Sequence, residues 1–148
     1  MSAELGIPKK EVSESIETLQ AVLISEFELY TRTLNFHWNV VSMSFYGLHK
    51  MFGKQYGEIA ATMDTVAERI RSLEGNPSLN GAKTDVNPIE KAEDMVLSLL
   101  DSHEVLITEL RGYIEDINQT KDFGTANFLT GIMEQHEKAA WMLRSTRN

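Results

Sequence analysis

The stretch FYGLHKMFGKQYGEIAATMDTVAERIRSL, residues 45–73, places apolar or aromatic side chains at Phe45, Leu48, Phe52, Tyr56, Ile59, Met63, Val66, Ile70 and Leu73. Steps of three and four put all of them on one face of an α-helix, which turns once every ~3.6 residues. Gly75-Asn76-Pro77 stops the pattern with residues that break helices. A helix of this length with one apolar face has to bury that face against other elements.

Upstream, Val12, Ile16, Leu19, Leu23, Phe27, Tyr30 and Leu34 keep the same spacing, and His37 is the next position on that stripe. The non-periodic VVSMS separates the two helices. Downstream, residues 75–86 are rich in Gly, Asn, Pro and Ser and read as a connection with room for one short helix or turn. Asn87-Pro88-Ile89-Glu90 resembles a capping box and predicts the start of a third helix, whose stripe runs through Val96, Leu99, Leu100, Val105, Leu106, Leu110, Ile114 and Ile117. After a polar break at Asn118 to Asp122, a fourth helix carries Phe128, Leu129, Ile132, Met133, Ala140, Trp141 and Leu143. With no strand signal, the expectation is an all-α four-helix bundle forming a single domain over residues 1–148.

The 148 residues contain no cysteine, so any transition-metal site must use imidazole and carboxylate. A net charge of −8 argues against a large phosphate-neutralising surface, and DNA binding is expected to be weak or absent. The start lacks the basic-then-apolar order of a secretory signal, and the apolar runs fall short of the ~20 residues that span a bilayer. The expectation is a cytoplasmic protein without membrane contact.

A second row on the 45–73 helix reads His49, Gly53, Gly57, Ala60 or Ala61, Asp64, Glu68. Asp64 and Glu68 are one turn apart and point the same way. His49 and Asp64 are fifteen positions apart, roughly 22 Å along one helix, so they cannot share an ion within one chain. Two copies of the helix packed antiparallel about a two-fold axis would bring His49 of each beside Asp64 and Glu68 of the other. The crossing would fall near Gly57, where small residues let backbones approach. His37 joins the cluster if the first two helices form an antiparallel hairpin, giving a donor set suited to iron, zinc or manganese. Against this, a single histidine on an apolar stripe is ordinarily a satisfied core group.

The Glu-x-x-His motif of carboxylate-bridged di-iron bundles is absent, because Leu34, Tyr46, Leu100 and Met133 stand three before the four histidines. His103 and His136, each beside a glutamate (Glu104, Glu137), read as surface groups. Most acids of so acidic a chain, Glu58 among them, read as solvated surface.

HWNV (His37 to Val40), Phe45, His49 and MDTVAERI (Met63 to Ile70) together resemble the signature of the Dps family, the miniature ferritins. The resemblance implies a ferritin-like subunit of a hollow dodecamer that oxidises Fe(II) at two-fold interfaces, with hydrogen peroxide or oxygen as oxidant, and stores ferric mineral. Its ligand positions fall on His37 and His49 of one subunit and Asp64 and Glu68 of the next. It implies iron as the metal, with zinc as a substitute, and an electron-donor or radical-sink role for Trp38. Asp122 resembles an acid of the family's three-fold pores. The chain departs from the pattern at Gly53, where relatives carry a carboxylate, and Lys50 and Lys54 flank it. A weak second iron is the expected consequence. The competing readings are a DNA-compacting shell and a helical assembly whose metal site is structural or empty.

Overall fold

The computed structural model describes residues 3–84 and 88–147. Four helices follow one another: α1 (Lys9–Asn39), α2 (Phe45–Ser72), α3 (Ala92–Ile117) and α4 (Phe123–Arg144), with no strand among the described residues. His37 meets His49 and Tyr30 meets Tyr56, so α1 and α2 run antiparallel. Arg144 pairs with Glu104 and Arg111 with Glu137, so α3 and α4 do too. The segment between α2 and α3 crosses from one hairpin to the other, as in ferritin-like bundles with one long crossover. Its described residues hold a turn closed by the Ala82 N–H donating to the Leu79 carbonyl, with no extra helix among them.

The core is one continuous cluster, with Leu19, Val22, Phe36, Phe52, Val66, Ile70, Leu99, Leu110, Leu129 and Leu143 essentially sealed from solvent. On α1 the buried stripe is offset from the expected one. It runs Ser15, Leu19, Val22, Glu26, Leu29, Thr33 and Phe36, while Phe27, Tyr30, Leu34 and His37 are half-buried on the adjacent face. The polar Ser15, Glu26 and Thr33 interrupt the true core row, so apolar spacing alone favours its neighbour. Val105 and Trp141 likewise lie outside the core, exposed on α3 and α4.

Helix ends show local causes. At the end of α2, the Glu74 N–H donates to the Arg71 carbonyl and the Gly75 N–H to the Ile70 carbonyl, with Glu74 taking the left-handed φ of 69°. This is a Schellman ending in which a non-glycine holds the strained position. Gly75 serves space instead: a Cβ there would lie 2.7 Å from Ile70 Cγ2 and 3.0 Å from Ile16 Cγ2. The predicted start of the third helix is corrected. Asn87 lies outside the described residues, and α3 begins at Ala92, past Pro88, with Lys91 as its N-cap.

Asp122 is corrected as well. It is 1% exposed and caps α4, accepting from the Thr125 N–H at 3.0 Å, the Thr125 hydroxyl at 2.6 Å and Arg69 Nη2 at 2.9 Å. A carboxylate so enclosed within its own subunit does not line a pore. Burial by itself would raise its pKa. Hydrogen bonds from the Thr125 hydroxyl and N–H, with the Arg69 charge, outweigh that and hold it below the usual range. Asp122→Ala is expected to cost about 1–3 kcal/mol, from a lost cap and a stranded guanidinium, read as a lowered thermal midpoint. The lowered pKa makes this contribution full above the unfolded carboxyl pKa and lost as pH falls through the folded one.

Candidate metal centre

The turn between α1 and α2 brings the two histidines of the sequence pattern together. Val40 leaves the helix in an extended conformation, and the chain re-enters at Phe45. The imidazoles of His37 and His49 then stack with centroids 3.9 Å apart and planes 16° from parallel. His37 Nδ1 lies 2.7 Å from the His49 carbonyl oxygen, and His49 Nδ1 lies 2.8 Å from the His37 carbonyl oxygen. A carbonyl oxygen only accepts, so each Nδ1 carries the hydrogen and donates it. In the neutral rings both Nε2 atoms keep their lone pairs. This is the second-sphere arrangement that orients histidine ligands and fixes their tautomer.

Gly53 is part of the same construction. A Cβ at this position would stand 2.9 Å from His37 Cε1 and 3.1 Å from His37 Nδ1. The His37 ring lies against bare backbone, so in this conformation the pair excludes any side chain at position 53. Gly53→Ala is expected to displace the ring, break its bond to the His49 carbonyl and weaken metal affinity by about 10-fold. Calorimetric titration with Zn(II) reads this, with the fold retained because alanine is the better helix former. The flanking lysines turn to surface partners: Lys54 lies 3.9 Å from Glu58, and Lys50 stands over the Tyr46 ring.

Asp64 and Glu68 lie on the same helix, exposed, one turn apart and far from the histidines along its axis. Among the described residues, no group of three or more His, Asp and Glu within one chain could hold a metal ion. The chain therefore assembles two of the four expected donors and leaves the other two facing outward. Between them, Gly57 has no atom of its own chain within 4 Å of where a Cβ would be. Trp38 is 65% exposed, and among the described residues no ring contact joins it to either histidine. The aromatic neighbours of the pair are Phe45, which stacks on the His49 ring at 5.0 Å, and Tyr56, which meets the His37 ring edge-on at 5.2 Å and meets Tyr30 at 6.0 Å. For both, the place on the α2 stripe was the available sequence signal.

His103 and His136, expected on the surface, are instead buried in the bundle. His136 Nε2 lies 2.6 Å from Glu26 Oε1, and the two histidine Nδ1 atoms are 2.9 Å apart and share one hydrogen. Burial first, and the charge on His136 second, push His103 down to about 3, so it stays neutral. His103, His136 and Gln55 line a cavity of about 20 Å³, the size of a single water. The pattern of α3 and α4 did not reveal this network because its counter-charge, Glu26, lies on α1.

The ferritin-like domain family matches residues 16–148. A low-temperature-induced protein of Nostoc is 35% identical over 150 residues, spanning 95% of this chain and 84% of that protein. DNA protection during starvation protein 2 of Bacillus anthracis is 34% identical over 140 residues, spanning 90% of this chain and 96% of that protein. The crystal structure of a Dps protein from Vibrio cholerae, described as a member of a broad superfamily of ferritin-like diiron-carboxylate proteins, superposes with a TM-score of 0.87 at 25% identity, covering 98% of this chain and 96% of that one. On bundle topology and sequence together, the chain belongs to the ferritin-like family and, within it, to the Dps proteins.

Proposed function

We propose that this chain is the subunit of a mini-ferritin that takes up Fe(II), oxidises it at sites shared between two subunits, and stores the ferric product inside a closed shell. The observation that carries the reading is the reciprocal clamp of His37 and His49, which leaves two oriented Nε2 atoms unused where, among the described residues, the chain gathers no third ligand of its own. Membership of the Dps family supports an iron-storage role. The remaining ligands are Asp64 and Glu68 of the partner subunit, delivered by an antiparallel α2–α2 crossing near Gly57. An isologous interface makes two such sites at once, in keeping with a dodecamer.

In this scheme the two imidazoles bind the substrate Fe(II), and the carboxylates neutralise it and anchor the ferric product. Hydrogen peroxide is the oxidant that fits detoxification. It takes two electrons and two protons and leaves as two waters. The reading places the protein in the cytoplasm as one ferritin-like domain. DNA compaction is the second family activity, and a net charge of −8 speaks against it.

Stopped-flow absorbance after mixing the assembled protein with Fe(II) and peroxide tests the proposal. Saturable oxidation faster than in buffer supports it, while oxidation no faster than in buffer rejects it. A gel shift at low salt that retards DNA would favour the compacting shell.

A further inference from the structure

We propose that the cavity between α2, α3 and α4 is a built site for one water molecule, and that this water joins the buried chain Glu26–His136–His103 to the protein surface as a path for a proton. It involves none of the residues of the candidate metal centre. Two orphaned atoms carry it. Among the described residues, His103 Nε2 and Gln55 Oε1 have no hydrogen-bond partner within the chain, although His103 is 1% and Gln55 3% exposed. Buried polar atoms are ordinarily paired. Both residues line the same cavity of about 20 Å³, which has room for a single water.

Hydrogen placement makes the two orphans complementary. Glu26 Oε1 accepts from His136 Nε2 at 2.6 Å, so that nitrogen carries a hydrogen. The charged His136 also carries one on Nδ1 and donates it to His103 Nδ1 at 2.9 Å. A neutral His103 that accepts on Nδ1 keeps its own hydrogen on Nε2. Gln55 turns its amide nitrogen to the Ala139 carbonyl at 3.4 Å, which leaves Oε1 as an acceptor. One water accepts from His103 Nε2 and donates to Gln55 Oε1, and both orphans are then satisfied. The mouth of the cavity holds Glu58 and Gln135, both exposed, with Gln135 Oε1 held by the Thr62 hydroxyl at 3.0 Å.

The proton moves without either ring turning. The His103 Nε2–H bond breaks and its proton goes to the water, while the shared hydrogen slides from His136 Nδ1 to His103 Nδ1. Both imidazoles end neutral, and His136 still donates to Glu26 through Nε2. The water passes the extra proton to solvent at the Glu58 mouth, and the reverse sequence reloads the chain. His103 is neutral in both states, in keeping with burial that pushes its pKa down to about 3. The titratable groups of the path are Glu26 from α1, Glu58 from α2, His103 from α3 and His136 from α4. The buried pair thereby gains or loses its proton while the bundle stays closed.

Two measurements on the assembled protein test this. A high-resolution crystal structure is expected to show one ordered water within hydrogen-bond distance of His103 Nε2 and Gln55 Oε1. Solid-state NMR of protein labelled with ¹⁵N-histidine and ¹⁵N-leucine, transferred into D₂O, should show the ring hydrogens of His103 and His136 exchanging at least about 10-fold faster than the core amide of Leu99, which awaits opening of the bundle. Gln55→Leu, which removes the acceptor, should lose the water and slow ring exchange several-fold with the Leu99 amide unchanged. A wild-type cavity without ordered water overturns the proposal, as do ring hydrogens that exchange no faster than the Leu99 amide. Ring exchange equally fast in a folded Gln55→Leu overturns it too.

Discussion

Alanine in place of His49 is expected to lower the initial rate of Fe(II) oxidation by about 10- to 100-fold, the range seen when metal-site support is removed. The substitution deletes one Nε2 and the stacked ring but keeps the residue 49 carbonyl, so His37 retains the acceptor that fixes its tautomer. Asp64→Ala should give a similar loss for a different reason, because it removes the anionic donor of the neighbouring half. The informative experiment mixes the two variants. If the site is shared across a two-fold interface, disassembling and co-assembling His49→Ala with Asp64→Ala subunits restores part of the activity. At every mixed interface, one of the two sites then has all its ligands. A site contained in one chain would gain nothing from mixing. Unchanged kinetics in both single variants would remove His49 and Asp64 from the oxidation site.

Glu26→Ala is expected to destabilise the bundle by about 3–5 kcal/mol, as when one partner of a buried charged pair is removed. Glu26 is fully buried and His136 nearly so, and their 2.6 Å contact is the anchor for His103 behind it. Thermal midpoints compared at equal subunit concentration read the effect, since assembly contributes to apparent stability. The same network sets an acid limit. The pKa of His103 lies near 3 when folded, against the ordinary 6.5. The unfolded chain therefore binds a proton that the folded one refuses, and stability falls as pH drops from about 6.5 toward 3. Above that window the contribution is complete. His103→Gln, which keeps an amide oxygen to accept from His136 but does not titrate, should flatten this slope. An unaltered slope would place the acid sensitivity elsewhere, with Asp122 next to examine.

Much of this molecule is legible from periodicity. On α2 the expected Leu48, Phe52, Ile59, Val66, Ile70 and Leu73 are buried, but Phe45 is exposed, Tyr56 and Met63 are half-buried, and the polar Gln55 and Thr62 hold core positions that an apolar pattern passes over. On α1, Leu19 and Leu23 are buried as expected, but beyond them the core row is the neighbouring one, because Glu26 finds His136 across the bundle and the Thr33 hydroxyl donates to the Leu29 carbonyl of its own helix. His103 and His136 were misplaced for the same reason: a buried polar group is betrayed by its partner, and the partner lies on another helix. Asp122 was read as a pore acid because its type fits a pore, whereas its setting fits a cap.

The sequence by itself determined the four helices and placed Asp64 and Glu68 too far along α2 from His49 to share an ion with it, because helical rise and turn are properties of the backbone. Tertiary structure alone decided that the histidines clamp each other through their carbonyls, that His37 rests against the bare backbone of Gly53, and that Phe45 and Tyr56, not Trp38, touch the pair. Each of these depends on how the α1–α2 hairpin closes and which rotamers its packing allows, and no local pattern encodes a distance between two helices.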